Sequence, residues 1–183
     1  MTYPIHSVDS APAGSRETLE GARRAFGFVP NVLGTMASSP SLLKTYLVVG
    51  DLFDQTSLSP TERQVVMMTT SYENGCEYCV GAHTAISGMQ KVPADVVQAI
   101  RDGARIADAK LEALRRFTSA VVCARGWVTN DDRDAFHRAG YSETQALEVI
   151  LGVGLKTFAN YANHLAETPL DAAFSKVAWT KGR

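Results

Sequence analysis

The chain has 183 residues, 45% hydrophobic and 20% charged, and its 18 Lys and Arg against 19 Asp and Glu leave a net charge of −1. That balance suits a soluble globular protein and excludes both a membrane bundle and a highly charged disordered chain. The three cysteines are an odd number in a chain long enough to bury a full apolar core, which argues against a secreted disulfide scaffold.

The thiols are therefore expected to serve chemistry or packing in a reducing compartment. No block of five or more like charges occurs, and Arg23-Arg24 and Arg115-Arg116 are isolated pairs, so nucleic acid is not an expected partner. Met1 to Ser15 has neither the basic start nor the apolar run of a signal peptide. No stretch approaches the roughly 18 apolar residues that span a bilayer, so no membrane association is expected and the cytoplasm is the expected location.

In chain order, Gly27 can end a first helix, and Pro30 keeps Phe28-Val29-Pro30-Asn31 extended. Ser39-Pro40 sets an N-cap hydroxyl before a first-turn proline, ahead of Leu42, Leu43, Tyr46, Leu47 and Val49. Ser59-Pro60-Thr61-Glu62 has the spacing of a reciprocal capping box, which makes a helix rather than a short strand of the Val65-Val66-Met67-Met68 run. Asn74-Gly75 breaks that helix, and the next is expected from near Cys76 to Gly88. Helices follow from Val92-Pro93 through Ile100, from Lys110 to Arg125 and from Asp131 to Ala139. A second capping box at Ser142 to Gln145 opens a long helix through Leu147, Ile150, Leu151, Leu155 and Phe158 towards His164, closed by Pro169. The two box-led helices allow a pseudo-repeat, and no hairpin signal appears. The expectation is one all-α domain over residues 1–183, an orthogonal bundle of about eight helices with an N-terminal arm over 1–15.

The stretch that carries chemistry is Asn74-Gly75-Cys76-Glu77-Tyr78-Cys79-Val80-Gly81-Ala82-His83. Two cysteines three apart at a helix start can close a disulfide, and the helix terminus favours a thiolate. His83 lies four residues beyond Cys79 and seven beyond Cys76, which places all three on one helical face. An imidazole there is suited to proton transfer. Two other readings compete: a zinc site completed by His164 or His137, and a pair of inert buried thiols. Cys123, in an apolar run, reads as core.

The segment from Leu58-Ser59-Pro60-Thr61-Glu62-Arg63-Gln64-Val65 through Cys76, Cys79 and His83 resembles the carboxymuconolactone decarboxylase-like superfamily, in its alkyl hydroperoxidase D branch. Gly27-Phe28-Val29-Pro30-Asn31 and Asn160-Tyr161-Ala162-Asn163 are similar to its peroxidase-related subgroup. The resemblance covers about residues 20–170. It implies an alkyl hydroperoxidase D-like all-helical fold, assembly into trimers or hexamers, and a peroxidase whose cysteine pair acts on hydroperoxides. A thiol or dithiol donor, of lipoyl or thioredoxin-like type, would re-reduce the pair, with no bound cofactor or metal. Cys76, Cys79 and His83 match the disulfide pair and relay histidine. The relay glutamate twelve residues before the first cysteine is replaced by Gln64, so Glu62 becomes a candidate catalytic carboxylate, although it also belongs to the capping box. Tyr78 stands where those enzymes carry a histidine, and its high reference pKa makes it a poor shuttle. Either cysteine can be the attacker: Cys79 is nearer His83, while Cys76 is nearer the helix terminus. Two further functions stay open, a lactone decarboxylase and a non-enzymatic homo-oligomer with contacts around Leu155, Phe158 and Tyr161.

Overall fold

Local capping chemistry sets most of the helix boundaries in the computed structural model, which describes residues 3–182. Helix α1 (Ala13–Phe26) ends at Gly27, whose φ of 80° is the left-handed conformation that glycine adopts without strain. Pro30 is extended, as expected, but a short helix missed by periodicity, α2 (Asn31–Met36), begins directly after it. In α3 (Pro40–Asp54) the Ser39 hydroxyl accepts from Leu42 N. The box that opens α4 (Pro60–Glu73) is fully formed: Glu62 N donates to Ser59 Oγ at 3.3 Å and Ser59 N to Glu62 Oε2 at 2.8 Å. Then come α5 (Glu77–Met89), α6 (Ala94–Arg101), α7 (Ala109–Cys123) and α8 (Asn130–Arg138). The second box, Ser142 with Gln145, starts α9 (Glu143–Ala166), 24 residues long. A 3-10 turn over Ala172–Val177 completes the described residues, among which no strand occurs. The all-α expectation stands, with nine α-helices among the described residues in place of about eight, because α2 is too short to leave a periodic signal.

Helix α4 is the axis of the fold, packed on α5, α6, α7 and α9. Gln64 to Ser71 is buried on every side, so its polar groups must be satisfied internally. Thr70 and Ser71 do this by donating to the Val66 and Met67 carbonyls, each at 2.8 Å. One apolar cluster joins α4, α6, α7 and α9 and contains the Phe117–Phe136–Tyr141 stack, with ring centroids 4.2 and 4.6 Å apart. A second joins α1, α2 and α3 to the segment holding Cys76 and Cys79. Where α9 crosses the core, a Cβ on Gly152 would lie 2.6 Å from Phe53 Cζ, so any larger residue there must displace Phe53 or Val66.

One expectation about burial is overturned. Cys123 is exposed rather than core, because it is the last residue of α7 and points to Glu73, its Sγ donating to Oε2 at 3.7 Å. In α9 the face carrying Leu147, Ile150 and Phe158 is turned outward, and the buried face is Val149, Gly152, Leu155, Lys156, Ala159, Asn160 and Asn163.

The C-terminal stretch is strapped across α5 and α6. Arg101 donates to the Val177 and Ala178 carbonyls, Trp179 Nε1 returns a bond to Arg101 O at 2.8 Å, and Lys181 Nζ reaches Tyr72 O at 2.9 Å. At the other end Asp171 is buried and accepts from Asn31 N and from the Tyr78 hydroxyl.

Candidate active site

The site grows out of the corner between α4 and α5. Asn74-Gly75 closes α4 in a Schellman turn: Gly75, at φ 67°, donates to Tyr72 O at 3.0 Å, and Cys76 N donates to Ser71 O at 2.9 Å. Cys76 is therefore the last residue of that turn and also the N-cap of α5, in extended conformation. This modifies the expected single helical face, since Cys79 and His83 share a turn of α5 while Cys76 sits just ahead of it. The sulfurs are still held together. Asn163 Nδ2 on α9 lies 3.3 Å from Cys79 Sγ and 3.9 Å from Cys76 Sγ. Asn160, one turn earlier, ties α9 to the same corner by accepting from Asn74 Nδ2 at 2.9 Å and donating to Ser71 Oγ at 3.3 Å.

His83 is buried with both ring nitrogens engaged. Gln64 Nε2 donates to Gln90 Oε1 at 3.0 Å, which turns Gln64 Oε1 towards His83 Nδ1 at 2.9 Å. An amide oxygen only accepts, so the proton sits on Nδ1 and the Nε2 lone pair is free. It receives a bond from Lys156 Nζ at 2.8 Å. Burial, and next the Lys156 charge, hold the imidazole well below its usual pKa, so it is neutral. Gln64 thus occupies the relay-glutamate position as a tautomer lock rather than as a proton acceptor.

Lys156 went unnoticed in the sequence. It is 2% exposed, and burial alone would strip its proton, but the negative charge of Cys79 and smaller contributions from Tyr46 and Cys76 keep it protonated. The partner shift agrees in sign. Burial pushes the Cys79 thiol up, yet the hydrogen bond from Cys76, the Lys156 ammonium and the Asn160 and Asn163 amides outweigh it and lower it to about 6. Cys76 moves up instead, chiefly because its thiol proton is shared with Cys79 and because it is buried. One thiolate, one thiol and one ammonium is the charge state that results. The signal that could have found Lys156 is the stripe Lys156, Asn160, Asn163 at i, i+4 and i+7 in an otherwise apolar helix.

Glu62 is not brought to the cysteines. One carboxylate oxygen closes the capping box and the other lies 3.5 Å from Lys110 Nζ, with Tyr141 beside them; burial pushes its pKa up, but the hydrogen bonds from Ser59 and Tyr141 and the Lys110 charge outweigh it and hold it below the usual value. Its place two residues from Gln64 turns it to another side of α4. Tyr78 faces away from proton traffic as well. Its hydroxyl donates to Asp171 and accepts from Val32 N at 3.2 Å, and burial, then Asp171, push its pKa up. The zinc alternative finds no further ligand, for His137 Nδ1 is bonded to Tyr141 O and no group of three or more His, Cys, Asp or Glu suited to a metal assembles among the described residues.

Above the thiolate opens a cavity of ≈ 700 Å³. Cys79, His83, Lys156 and Gln90 contribute its polar lining with Tyr46 and Tyr78, whereas its walls are apolar, with Phe26, Phe28, Leu33, Leu47, Ile86 and Phe174 among them. Phe28 and Phe174 meet edge to face at 6.0 Å, so the C-terminal 3-10 turn forms one wall. Cys76 does not reach this cavity.

The carboxymuconolactone decarboxylase family pattern matches residues 45–120, from within α3 to within α7, including Gln64, both cysteines and His83 but not Lys156 or Asn163. No curated protein shows significant similarity to the chain. Among solved structures it is similar to the alkylhydroperoxidase AhpD core of an uncharacterized peroxidase-related protein from Ralstonia eutropha JMP134, at 25% identity over 94% of this chain and 93% of that one, with a TM-score of 0.82. A peroxidase-related protein from Silicibacter sp. TM1040 matches at 18% identity over 95% and 92%, TM-score 0.80. The debrominase Bmp8, in complex with 2,3,4-tribromopyrrole, matches at 20% over 97% and 95%, TM-score 0.79. The chain thus matches the carboxymuconolactone decarboxylase family pattern over residues 45–120, and its whole fold is like that of the AhpD-core peroxidase-related proteins.

Proposed function

We propose that the protein is a dithiol peroxidase for apolar hydroperoxides, with Cys79 as the attacking thiolate and Cys76 as the resolving thiol. The observation that carries this reading is the asymmetry of the pair: Cys79 lines the cavity and is lowered to about 6, while Cys76 lies behind it with its pKa raised. Cys79 attacks the terminal peroxide oxygen, the O–O bond breaks, and the departing alkoxide takes a proton from the Lys156 ammonium. The Cys76 thiol then gives its proton to the neutral amine and attacks the Cys79 sulfenic acid. Hydroxide leaves, takes that proton from Lys156 and departs as water, and the S–S bond forms. A thiol or dithiol donor restores the pair, supplying two electrons and one proton each to Cys76 and Lys156. It must come down the cavity to Cys79, because Cys76 has no opening onto it. His83 keeps Lys156 in place through Nε2 and needs no charge of its own.

The test is stoichiometric. One equivalent of an aromatic hydroperoxide should remove two titratable thiols and join Cys76 to Cys79 in a mass map. Cys79→Ser should consume no peroxide, and Cys76→Ser should stop at a sulfenic acid on Cys79. Unchanged thiol counts refute the reading.

The aromatic wall of Phe26, Phe28, Tyr46 and Phe174 favours a second reading, reductive dehalogenation of an electron-rich ring. There the Cys79 sulfur bonds to the halogen, the C–Br bond breaks and the ring carbon takes a proton. Cys76 then displaces bromide to give the same disulfide. Bromide release from 2,3,4-tribromopyrrole by the reduced protein distinguishes this reading from the first.

A further inference from the structure

Lys156 is the cation of the cavity, and its partners are unusual for a buried lysine. Its Nζ sits between the Cys79 sulfur and His83 Nε2, the latter at 2.8 Å. The groups that face it are Cys79 and His83 from α5, Cys76 from the turn ahead of α5 and Tyr46 from α3. None of the ion pairs among the described residues includes it, so its counter-charge is the Cys79 thiolate rather than a carboxylate.

Oxidation removes that counter-charge. Once Cys79 is bonded to Cys76 its sulfur carries no negative charge, and an ammonium would be left buried and unpaired under apolar walls. A lysine in such surroundings gives up its proton instead. Burial is the leading influence on Lys156 and acts in that direction. The peroxide cycle set out above ends on the same neutral amine.

An amine desolvated in an apolar pocket is a nucleophile for carbonyl carbon. The cavity of ≈ 700 Å³ can bring a carbonyl group to it, since walls that include Phe26, Phe28, Ile86 and Phe174 accept an aromatic ring or a short alkyl chain. His83 completes the chemistry: with its own proton on Nδ1, its Nε2 lone pair faces Nζ. It takes each of two protons from the lysine nitrogen in turn and passes it to the carbonyl oxygen, which departs as water. The C=O bond and two N–H bonds break, a C=N bond and two O–H bonds form, and no electrons are exchanged with a further reagent.

We infer that the oxidised protein holds a second reactive centre in this cavity, the Lys156 amine, which condenses with apolar aldehydes to a Schiff base. Reduction of the disulfide restores the thiolate and with it the ammonium, so the cysteine pair gates the amine. The inference rests on the peroxidase reading only for how the disulfide arises.

The test uses benzaldehyde with cyanoborohydride, which reduces imines and spares disulfides, at pH 7 on the full chain in a Cys123→Ser background. Label on Lys156 is read by peptide mass against Lys44 and Lys91, both exposed. A solvated lysine is only ~0.04% amine at pH 7, so diamide-oxidised protein should carry at least about tenfold more label on Lys156 than on either reference. Protein reduced with dithiothreitol should show no such excess. Cys79→Ser has no thiolate in either condition and should show the excess in both. Glyoxylate, whose carboxylate the apolar walls would desolvate, should show none. Label on Lys156 no greater than on the exposed lysines after oxidation, equal labelling of oxidised and reduced protein, or an excess in Cys79→Ser that appears only on oxidation would overturn the inference; equal labelling by glyoxylate would overturn the substrate class. Diamide and Cys79→Ser remove the thiolate without peroxide, so thiol counts after peroxide test the peroxidase reading separately.

Discussion

Replacing Lys156 by Met removes the ammonium and keeps most of the side-chain volume. With Lys156 present the Cys79 thiol is lowered to about 6, so ~90% of it is thiolate at pH 7. Without the cation, burial is opposed only by the Cys76 hydrogen bond and two neutral amides, and the thiol is expected to return at least to the ordinary ~8.5, leaving ~3% thiolate at pH 7. The reactivity of Cys79 at pH 7 should therefore fall on the order of 30-fold, equivalent to ~2 kcal/mol. The direction in pH is set by the depressed acid. The wild-type rate should be flat above pH 7 and fall as pH drops through about 6, whereas the stability lent by the folded thiolate is complete above the ordinary ~8.5 and is lost as pH falls from there through about 6. In Lys156→Met the rate should instead climb through pH 8.5 and above. The assay is the pH dependence of haloacetamide labelling of Cys79, read by mass, with thiolate ultraviolet absorbance as a second probe. His83→Ala is the comparison, since it removes the bond that positions the ammonium but keeps its charge beside the thiol, and it should raise the midpoint less than Lys156→Met does. A Lys156→Met midpoint unchanged from wild type, or a rise in His83→Ala as large as in Lys156→Met, refutes the assignment.

Glu62→Gln should lower stability by about 1 kcal/mol through the capping box and Lys110, a Tm shift of ~2–4 °C in thermal unfolding, while leaving peroxide turnover within about two-fold. Gly152→Ala forces a methyl against Phe53 and Val66 and should cost about 1–3 kcal/mol in denaturant unfolding. Gln64→Glu puts a carboxylate 2.9 Å from His83 Nδ1, which should raise the imidazole pKa above that of the wild type, read as an upward shift of its titration by NMR.

What the sequence made legible was local. Capping boxes at Ser59 and Ser142, the Ser39-Pro40 start and the Asn74-Gly75 break all involve residues within four of one another, and all formed. The cysteine pair with its histidine was readable for the same reason. Glu62 and Lys156 mark where that reach ends. Glu62 carries a cap signature and a catalytic possibility on the same atoms, and only Lys110 and Tyr141, from distant segments, decide between them. For α9, periodicity separates two faces without saying which is inside. Packing against α4 buries the Lys156-Asn160-Asn163 stripe and leaves Leu147, Ile150 and Phe158 outside. Cys123 failed for a related reason, since an apolar run at a helix end need not point inward.

Lys181 binds the carbonyls of Tyr72 and Glu73, four and three residues before Cys76, and Phe174 on the same strap walls the cavity. Residues 171–182 are thus a remote handle on the thiol corner. A purification tag fused after them, or proteolysis beyond Asp171, acts on active-site reactivity rather than on a spectator tail. Preparations with different C-termini should therefore be compared by thiol reactivity before their activities are compared.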